Sequence, residues 1–181
     1  MDNTIEHQYQ SPSIKGLSKA VLVTGGAGYV GSHTCKFLVK NGFTPITIDR
    51  DLRLKHKPVS FGPSYDINLP QEIERLDEII KRYNVTSCIH FAGSASVSES
   101  VKNPSEYYKN NVIATVVLLD KLIECGVKTF VYSSSAATYG DPGMKMCKES
   151  DWAKPISSYG ASKLMMEMIC KDYLRAYGLS S

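Results

Sequence analysis

Ala20-Val21-Leu22-Val23-Thr24-Gly25-Gly26-Ala27-Gly28-Tyr29-Val30-Gly31 is the stretch that decides the fold. A short apolar run that stops at glycine is the pattern of a buried parallel strand. The residues after it, Gly28 to Lys40, carry a helical pattern with Val30, Cys35, Leu38 and Val39 as its buried stripe, and Asn41-Gly42 ends it. Between strand and helix, glycines stand at 25, 28 and 31. A pyrophosphate has to come close to backbone N–H groups at a helix N-terminus, and a side chain in the turn blocks that approach. Gly25 suits the tight turn, Gly28 the close approach, and Gly31 tight packing of the helix on the sheet. Spaced glycines alone are a weak signal. A strand before them, a helix after them and an acid closing the next strand make the signal specific for a dinucleotide turn.

That acid is Asp49, at the end of Pro45-Ile46-Thr47-Ile48-Asp49. A carboxylate there accepts bonds from adenosine ribose hydroxyls and repels a 2′-phosphate, favouring NAD over NADP; Arg50 beside it works against that preference. A helix cap or loop acid has the same appearance. Further strands are expected near Val59-Ser60-Phe61, over Val85–His90 and over Thr129–Ser133. Helices are expected over Gln71–Tyr83, Pro104–Cys125 and Ser157–Tyr177, the last stopped by Gly178. The alternation predicts an α/β fold, a Rossmann-like doubly wound parallel sheet with helices on both faces. The strand order 3-2-1-4-5-6 of that fold needs a sixth strand, which the reading places beyond the chain. The fold is therefore expected to be truncated before its last strands and before a substrate domain, with an exposed edge at the fifth strand. Residues 1–18 read as a disordered leader and 19–181 as one incomplete NAD-binding domain.

Composition narrows the function classes. The 181 residues are 43% hydrophobic and 22% charged, an ordinary globular balance. A net charge of +3, with scattered lysines and arginines, argues against nucleic acid. No apolar run reaches the ~20 residues of a membrane span, and the N-terminus carries no signal pattern. The 5 cysteines form no CxxC pair and the 4 histidines show no ligand spacing. Reduced thiols, a cytoplasmic location and no metal site are the expectation.

Ser157-Ser158-Tyr159-Gly160-Ala161-Ser162-Lys163 is the second informative stretch. Residues four apart on a helix face the same way, so Tyr159 and Lys163 reach one ligand together. A free tyrosine, with a pKa of about 10, is a poor base at neutral pH, and a neighbouring ammonium favours its phenolate. Lys163 also suits a nicotinamide ribose. Ser133-Ser134-Ser135 follows the fifth strand, at the sheet end where ligands bind, and Ser135 suits a hydrogen bond to a reacting hydroxyl. A surface Tyr/Lys pair and a serine that only caps backbone are the plainer alternatives.

These residues resemble the extended short-chain dehydrogenase/reductase family and, within it, the N-terminal half of the UDP-hexose 4-epimerases. The resemblance runs from about Ala20 to Tyr173. It is carried by Thr24–His33, Ile89–Gly93, Glu99–Val101, Pro104–Val112, Ser133–Asp141 and the Tyr159-to-Lys163 segment. The related dehydratases place an Asp-Glu pair where this chain has Ala136 and Ala137, which argues against dehydration. The resemblance implies NAD as cofactor and a UDP-sugar as substrate. It implies that Gly25, Gly28, Tyr29, Val30 and Gly31 line the pyrophosphate and that Asp49 holds the adenosine ribose. Asp66 and Ile67 would flank the adenine, and Phe91, Ala92, Gly93 and Asn110 would contact the cofactor. Core packing is the alternative for Phe91 and Ile67. Ser135, Tyr159 and Lys163 would be the catalytic group.

The implied reaction, part of galactose metabolism, inverts C4 of UDP-glucose or UDP-galactose. Tyr159, with Ser135, takes the 4-hydroxyl proton while hydride leaves C4 for NAD and returns to the other face of the sugar. Ala95 stands where such epimerases usually carry a lysine, so one ionic contact to NAD is missing. The chain alone is expected to be a weak or inactive epimerase. A noncatalytic NAD-binding module, half of a split enzyme and a decayed product are the other readings. A homodimer or a complementing chain is the expected partner.

Overall fold

The computed structural model describes residues 19–50, 52, 61–143 and 146–181. Five parallel strands form one sheet in the order β3-β2-β1-β4-β5. They are β1 (Ala20–Thr24), β2 (Thr44–Asp49), β3 (Ser64–Asp66), β4 (Ser87–His90) and β5 (Thr129–Tyr132). This is the expected Rossmann-like arrangement. The strand order reverses between β1 and β4, and a cleft opens at the carboxyl ends of such neighbours.

The two faces are covered unequally. On one, Leu22, Ile46, Ile48, Cys88 and Phe130 pack under α2 (Arg75–Tyr83), α5 (Ala114–Glu124) and α6 (Ser158–Tyr177). On the other, Val21 and Val23 meet Cys35 and Leu38 of α1 (Tyr29–Lys40). The expected stripe on α1 is corrected here. Gly31, Cys35 and Leu38 face inward, at i, i+4 and i+7, while Val30 and Val39 are exposed. Gly31 sets that rotation by pressing on the turn before the helix.

Three other expectations shift, and one helix is new. The third strand, expected near Val59–Phe61, is Ser64–Asp66: Phe61 sits in a turn, and residues 59 and 60 lie outside the described residues, as does the expected leader at 1–18. Gly62, at φ +155°, passes so close to Pro45 that a Cβ would stand 2.2 Å from its carbonyl oxygen, and pairing begins only after this contact. The helix expected from Gln71 begins at Arg75, because Ile73, Arg75, Leu76 and Asp77 each bond three residues back in tight turns. The long helix from Pro104 is three segments: α4 (Pro104–Tyr107), a π-helical turn (Tyr108–Ile113) and α5. A helix not expected, α3 (Val97–Lys102), precedes it, capped by Ser96.

The edge of β5 is also not bare along its length. After the left-handed cap at Gly178, Leu179 is buried and Ser180 pairs in parallel with Thr129, donating to Lys128 O (3.0 Å) and accepting from Phe130 N (2.8 Å). This single bridge lies on the free side of β5, and the sheet itself has five strands, as the sequence reading expected. Val131, further along β5, remains half exposed.

Candidate active site

The glycine turn is locked from three sides. Gly25 takes φ +69° and donates to Ile48 O (2.8 Å); a Cβ on it would stand 2.6 Å from Ala92 N. Only glycine fits both the backbone angle and the contact. A Cβ on Gly31 would stand 2.3 Å from Gly25 O, so α1 packs on the turn itself. Gly28 is the N-cap of α1, with no side chain capping it and no acidic residue in the first turn. No acidic side chain of the first turn therefore competes for the first helical N–H groups, and the helix dipole adds positive potential there. Tyr29 and Val30 stand exposed at the rim of the turn.

From this turn a cleft runs along the carboxyl ends of β1, β2 and β4. Gly25, Gly28, Asp49, Ile67, Phe91, Ala92, Gly93 and Asn110 line it with Arg50, together with Thr24, Asn68 and His90, to which the sequence reading gave no role of their own. Asp49 accepts from Ala27 N (3.0 Å) with one oxygen and from Arg50 N (2.9 Å) with the other. It braces the turn as well as facing the cleft. Asp66 lies apart from the cleft lining; its carbonyl accepts from Arg75 Nη1 (2.8 Å) at the end of β3. The place of the missing lysine, Ala95, is exposed.

The second cluster sits at the end of β5. Ser157 caps α6 by accepting from Gly160 N (3.1 Å), and Gly160 packs so closely that a Cβ would stand 2.4 Å from Ala137 O. This close approach fixes the first turn of α6, and with it Tyr159 and Lys163, against the serine loop. Lys163 is 6% exposed and donates to Ser133 O (2.9 Å). Its Nζ lies 4.8 Å from the Tyr132 ring centre and 5.8 Å from that of Tyr159. Burial lowers the Lys163 ammonium to about 8. Tyr107, buried beneath, meets the Tyr159 ring edge-on at 6.4 Å and donates to Ser96 O (2.7 Å).

The three serines divide their tasks. Ser133 offers its carbonyl to Lys163, Ser134 donates to Glu167 one turn along α6, and Ser135 accepts from Ala137 N (3.2 Å) to cap the short 3-10 turn Ala136–Tyr139. Ser135 is therefore a backbone cap, and its hydroxyl proton is not used by that bond. Tyr107 and Glu167 support the cluster but carry no signal of it in the sequence, since a buried Tyr and an amphipathic Glu are ordinary helix residues.

This arrangement defines a parallel α/β domain with a glycine-turn cleft and an adjoining Tyr/Lys/Ser cluster at one end of its sheet. The chain belongs to the NAD dependent epimerase/dehydratase family, whose pattern matches residues 21–181. It is 43% identical over 160 residues to the UDP-glucose 4-epimerase of Halalkalibacterium halodurans, covering 88% of this chain and 48% of that protein. Against the Rhizobium meliloti UDP-glucose 4-epimerase it is 40% identical over 161 residues, covering 89% and 49%. The chain spans about half the length of the curated relatives it matches. Among solved structures, the Brucella ovis UDP-glucose 4-epimerase in complex with NAD superimposes with a TM-score of 0.82 at 40% identity, over 89% of this chain and 49% of that one. The Thermotoga maritima enzyme with UDP-glucose gives 0.76 at 34%, over 88% and 52%.

Proposed function

We propose that this chain binds NAD across the carboxyl ends of β2, β1, β4 and β5 and carries the catalytic residues for C4 epimerisation of a UDP-hexose. The observation that carries the reading is the placement of Lys163 and Tyr159. The buried ammonium and the phenol ring lie 5.8 Å apart at the same sheet end as a turn in which Gly25 and Gly31 admit no Cβ. Gly25 and Gly28 would face the pyrophosphate, Asp49 the adenosine ribose, and Ile67 with Phe91 the flat rings. Asp66 acts at most through Ile67 and the end of β3.

Bound there, the dinucleotide supplies a two-electron acceptor for hydride from a sugar carbon. The chain's own residues do the rest. Tyr159, as phenolate, takes the proton of the sugar 4-hydroxyl, and Ser135, still holding its proton, hydrogen-bonds that oxygen. Lys163 places positive charge beside the phenol and favours its ionised form. Lys163 stays tied to Ser133 O, so this charge is fixed before substrate arrives. Ala136 and Ala137 after the serine loop offer no acid for elimination, which favours epimerisation over dehydration.

Calorimetric titration of the 181-residue chain with NAD tests the reading, with Tyr159→Phe alongside. Saturable one-site binding that survives Tyr159→Phe is expected, because the phenol hydroxyl serves the reaction more than the affinity. No heat from wild type would defeat it. The UDP-sugar is the expected substrate, and UDP-glucose and UDP-galactose are the pair to assay.

A further inference from the structure

Between the glycine turn and the tyrosine helix runs a chain of buried polar side chains that neither the turn nor the Tyr/Lys pair accounts for. Thr24, His90, Thr115, Asn111 and Ser162 are all at most 4% exposed. Thr24 Oγ1 lies 2.6 Å from His90 Nδ1, and His90 Nε2 lies 3.0 Å from Thr115 Oγ1. Thr115 donates to Asn111 O (2.8 Å). The Asn111 amide donates to Ser94 O (2.9 Å) and to Ser162 Oγ (3.2 Å), and its oxygen accepts from Ser94 N (2.8 Å). Ser162 donates to Tyr159 O (2.7 Å).

Counting protons fixes every direction in this chain. Thr115 has one hydroxyl proton, and a carbonyl oxygen can only accept, so that proton goes to Asn111 O. His90 Nε2 must then be the donor to Thr115. With Nε2 protonated, the neutral ring accepts at Nδ1, and Thr24 supplies that proton. Ser162 likewise gives its single proton to Tyr159 O and accepts from Asn111. With the ring neutral, no member is left unpaired and no second pattern satisfies all of them. Burial, with the charge of Lys163 added, holds the His90 imidazolium down to about 3, which agrees with a neutral ring. The π-helical turn brings the Asn111 carboxamide against Ser94 and Ser162 while its carbonyl meets Thr115.

We propose that His90, held as its Nε2–H tautomer, is a positioning residue that ties the strand leading into the glycine turn to the helix bearing Tyr159 and Lys163. It touches neither phenol nor ammonium. It acts through Thr115, Asn111 and Ser162 on the backbone of Tyr159, and through Thr24 on the residue that starts the turn. The inference rests on the dinucleotide reading, since it concerns how the two ends of one ligand are held in register.

The test pairs two ligands with three proteins. NAD spans both ends of the site, whereas ADP-ribose lacks the nicotinamide that would lie near Tyr159. Thr115→Val removes the hydroxyl at nearly constant shape, and Thr115→Ser restores it. Thr115→Val should weaken NAD about tenfold, the effect of losing a buried hydrogen bond or two, and leave ADP-ribose within about twofold. Thr115→Ser should recover NAD affinity. A purely structural role moves both ligands together or neither, and either result overturns the proposal. Should Thr115→Val fail to fold, His90→Gln, which keeps the N–H toward Thr115 and loses the acceptor for Thr24, must show the same selective loss. Imidazole ¹⁵N spectra give an independent reading: His90, assigned by its absence in His90→Gln, should show one Nε2–H tautomer from pH 5 to 8, and a mixture of tautomers would also overturn the proposal. If wild type binds neither ligand while His90 still shows that single tautomer, the cofactor reading fails rather than the hydrogen-bond chain.

Discussion

The two ends of the cleft are built from different materials. The end beneath Gly25 and Gly28 is made of backbone: the close contacts are between main-chain atoms, and the Asp49 carboxylate is itself bonded to two backbone amides. The end beneath Tyr159 is made of side chains, among them Lys163, Tyr132, Tyr107, Asn111 and Ser162, most of them buried. A backbone-built site tolerates almost any change except an added Cβ. A side-chain-built site tolerates changes of shape better than changes in its count of protons and charges. Three substitutions press on that difference.

Gly31→Ala carries the largest effect. The added methyl lies 2.3 Å from Gly25 O, a backbone atom that cannot rotate away. Stability to urea should fall by about 3 kcal/mol, and dinucleotide binding should be lost with it. A variant that melts like wild type would show that the turn is looser than its contacts require.

At the other end the sensitive quantity is charge. Lys163 is depressed in the fold to about 8 by burial, so the folded chain releases this proton more readily than the unfolded chain. The unfavourable effect of burying the cation is complete below about pH 8 and fades as pH climbs into the ordinary lysine range. Wild type should therefore gain about 2 kcal/mol of stability relative to Lys163→Met between about pH 8 and 10. Denaturant melts of both proteins across that range measure the difference. Parallel curves would mean that Lys163 is solvated.

The same contrast explains what the sequence made legible. Glycine at 25, 28 and 31 is a visible signature, because few residues can replace it where backbones touch. The parallel order of the sheet followed from the alternation of apolar runs with helical patterns. Tyr159, Lys163 and Ser135 were legible from their spacing and their place behind a strand. The hydrogen-bond chain was not: His90, Thr115 and Ser162 are residue types that occupy surfaces as often as cores, and nothing in their order fixes which protons they share. The short helix Val97–Lys102 buries Ser100 and leaves Val97 and Val101 exposed, so its apolar residues do not reveal it. Val30 and Val39 misled in the opposite direction, because an apolar residue on a helix seated along one narrow line of contact need not be buried. The bridge at Ser180 has no signal in the sequence, because a single bridged residue sets no period.

Tyr132→Phe has the smallest effect and the opposite sign. The Tyr132 hydroxyl is buried with no hydrogen-bond partner among the described residues, and burial raises its pKa far above the usual phenol value. Removing that oxygen should stabilise the chain by about 1 kcal/mol, read from thermal or urea melts. A loss of stability would show that the oxygen has a partner after all.

The central claim is that one dinucleotide bridges the backbone-built end and the side-chain-built end. Amide NMR of the 181-residue chain, titrated separately with NAD and with ADP-ribose, tests it most directly. Both ligands should shift Gly25, Gly28 and Asp49, and NAD alone should also shift Ser133, Ser135, Tyr159 and Lys163. If NAD leaves those four signals unmoved while saturating the glycine turn, the Tyr/Lys/Ser cluster does not belong to the cofactor site, and the account fails.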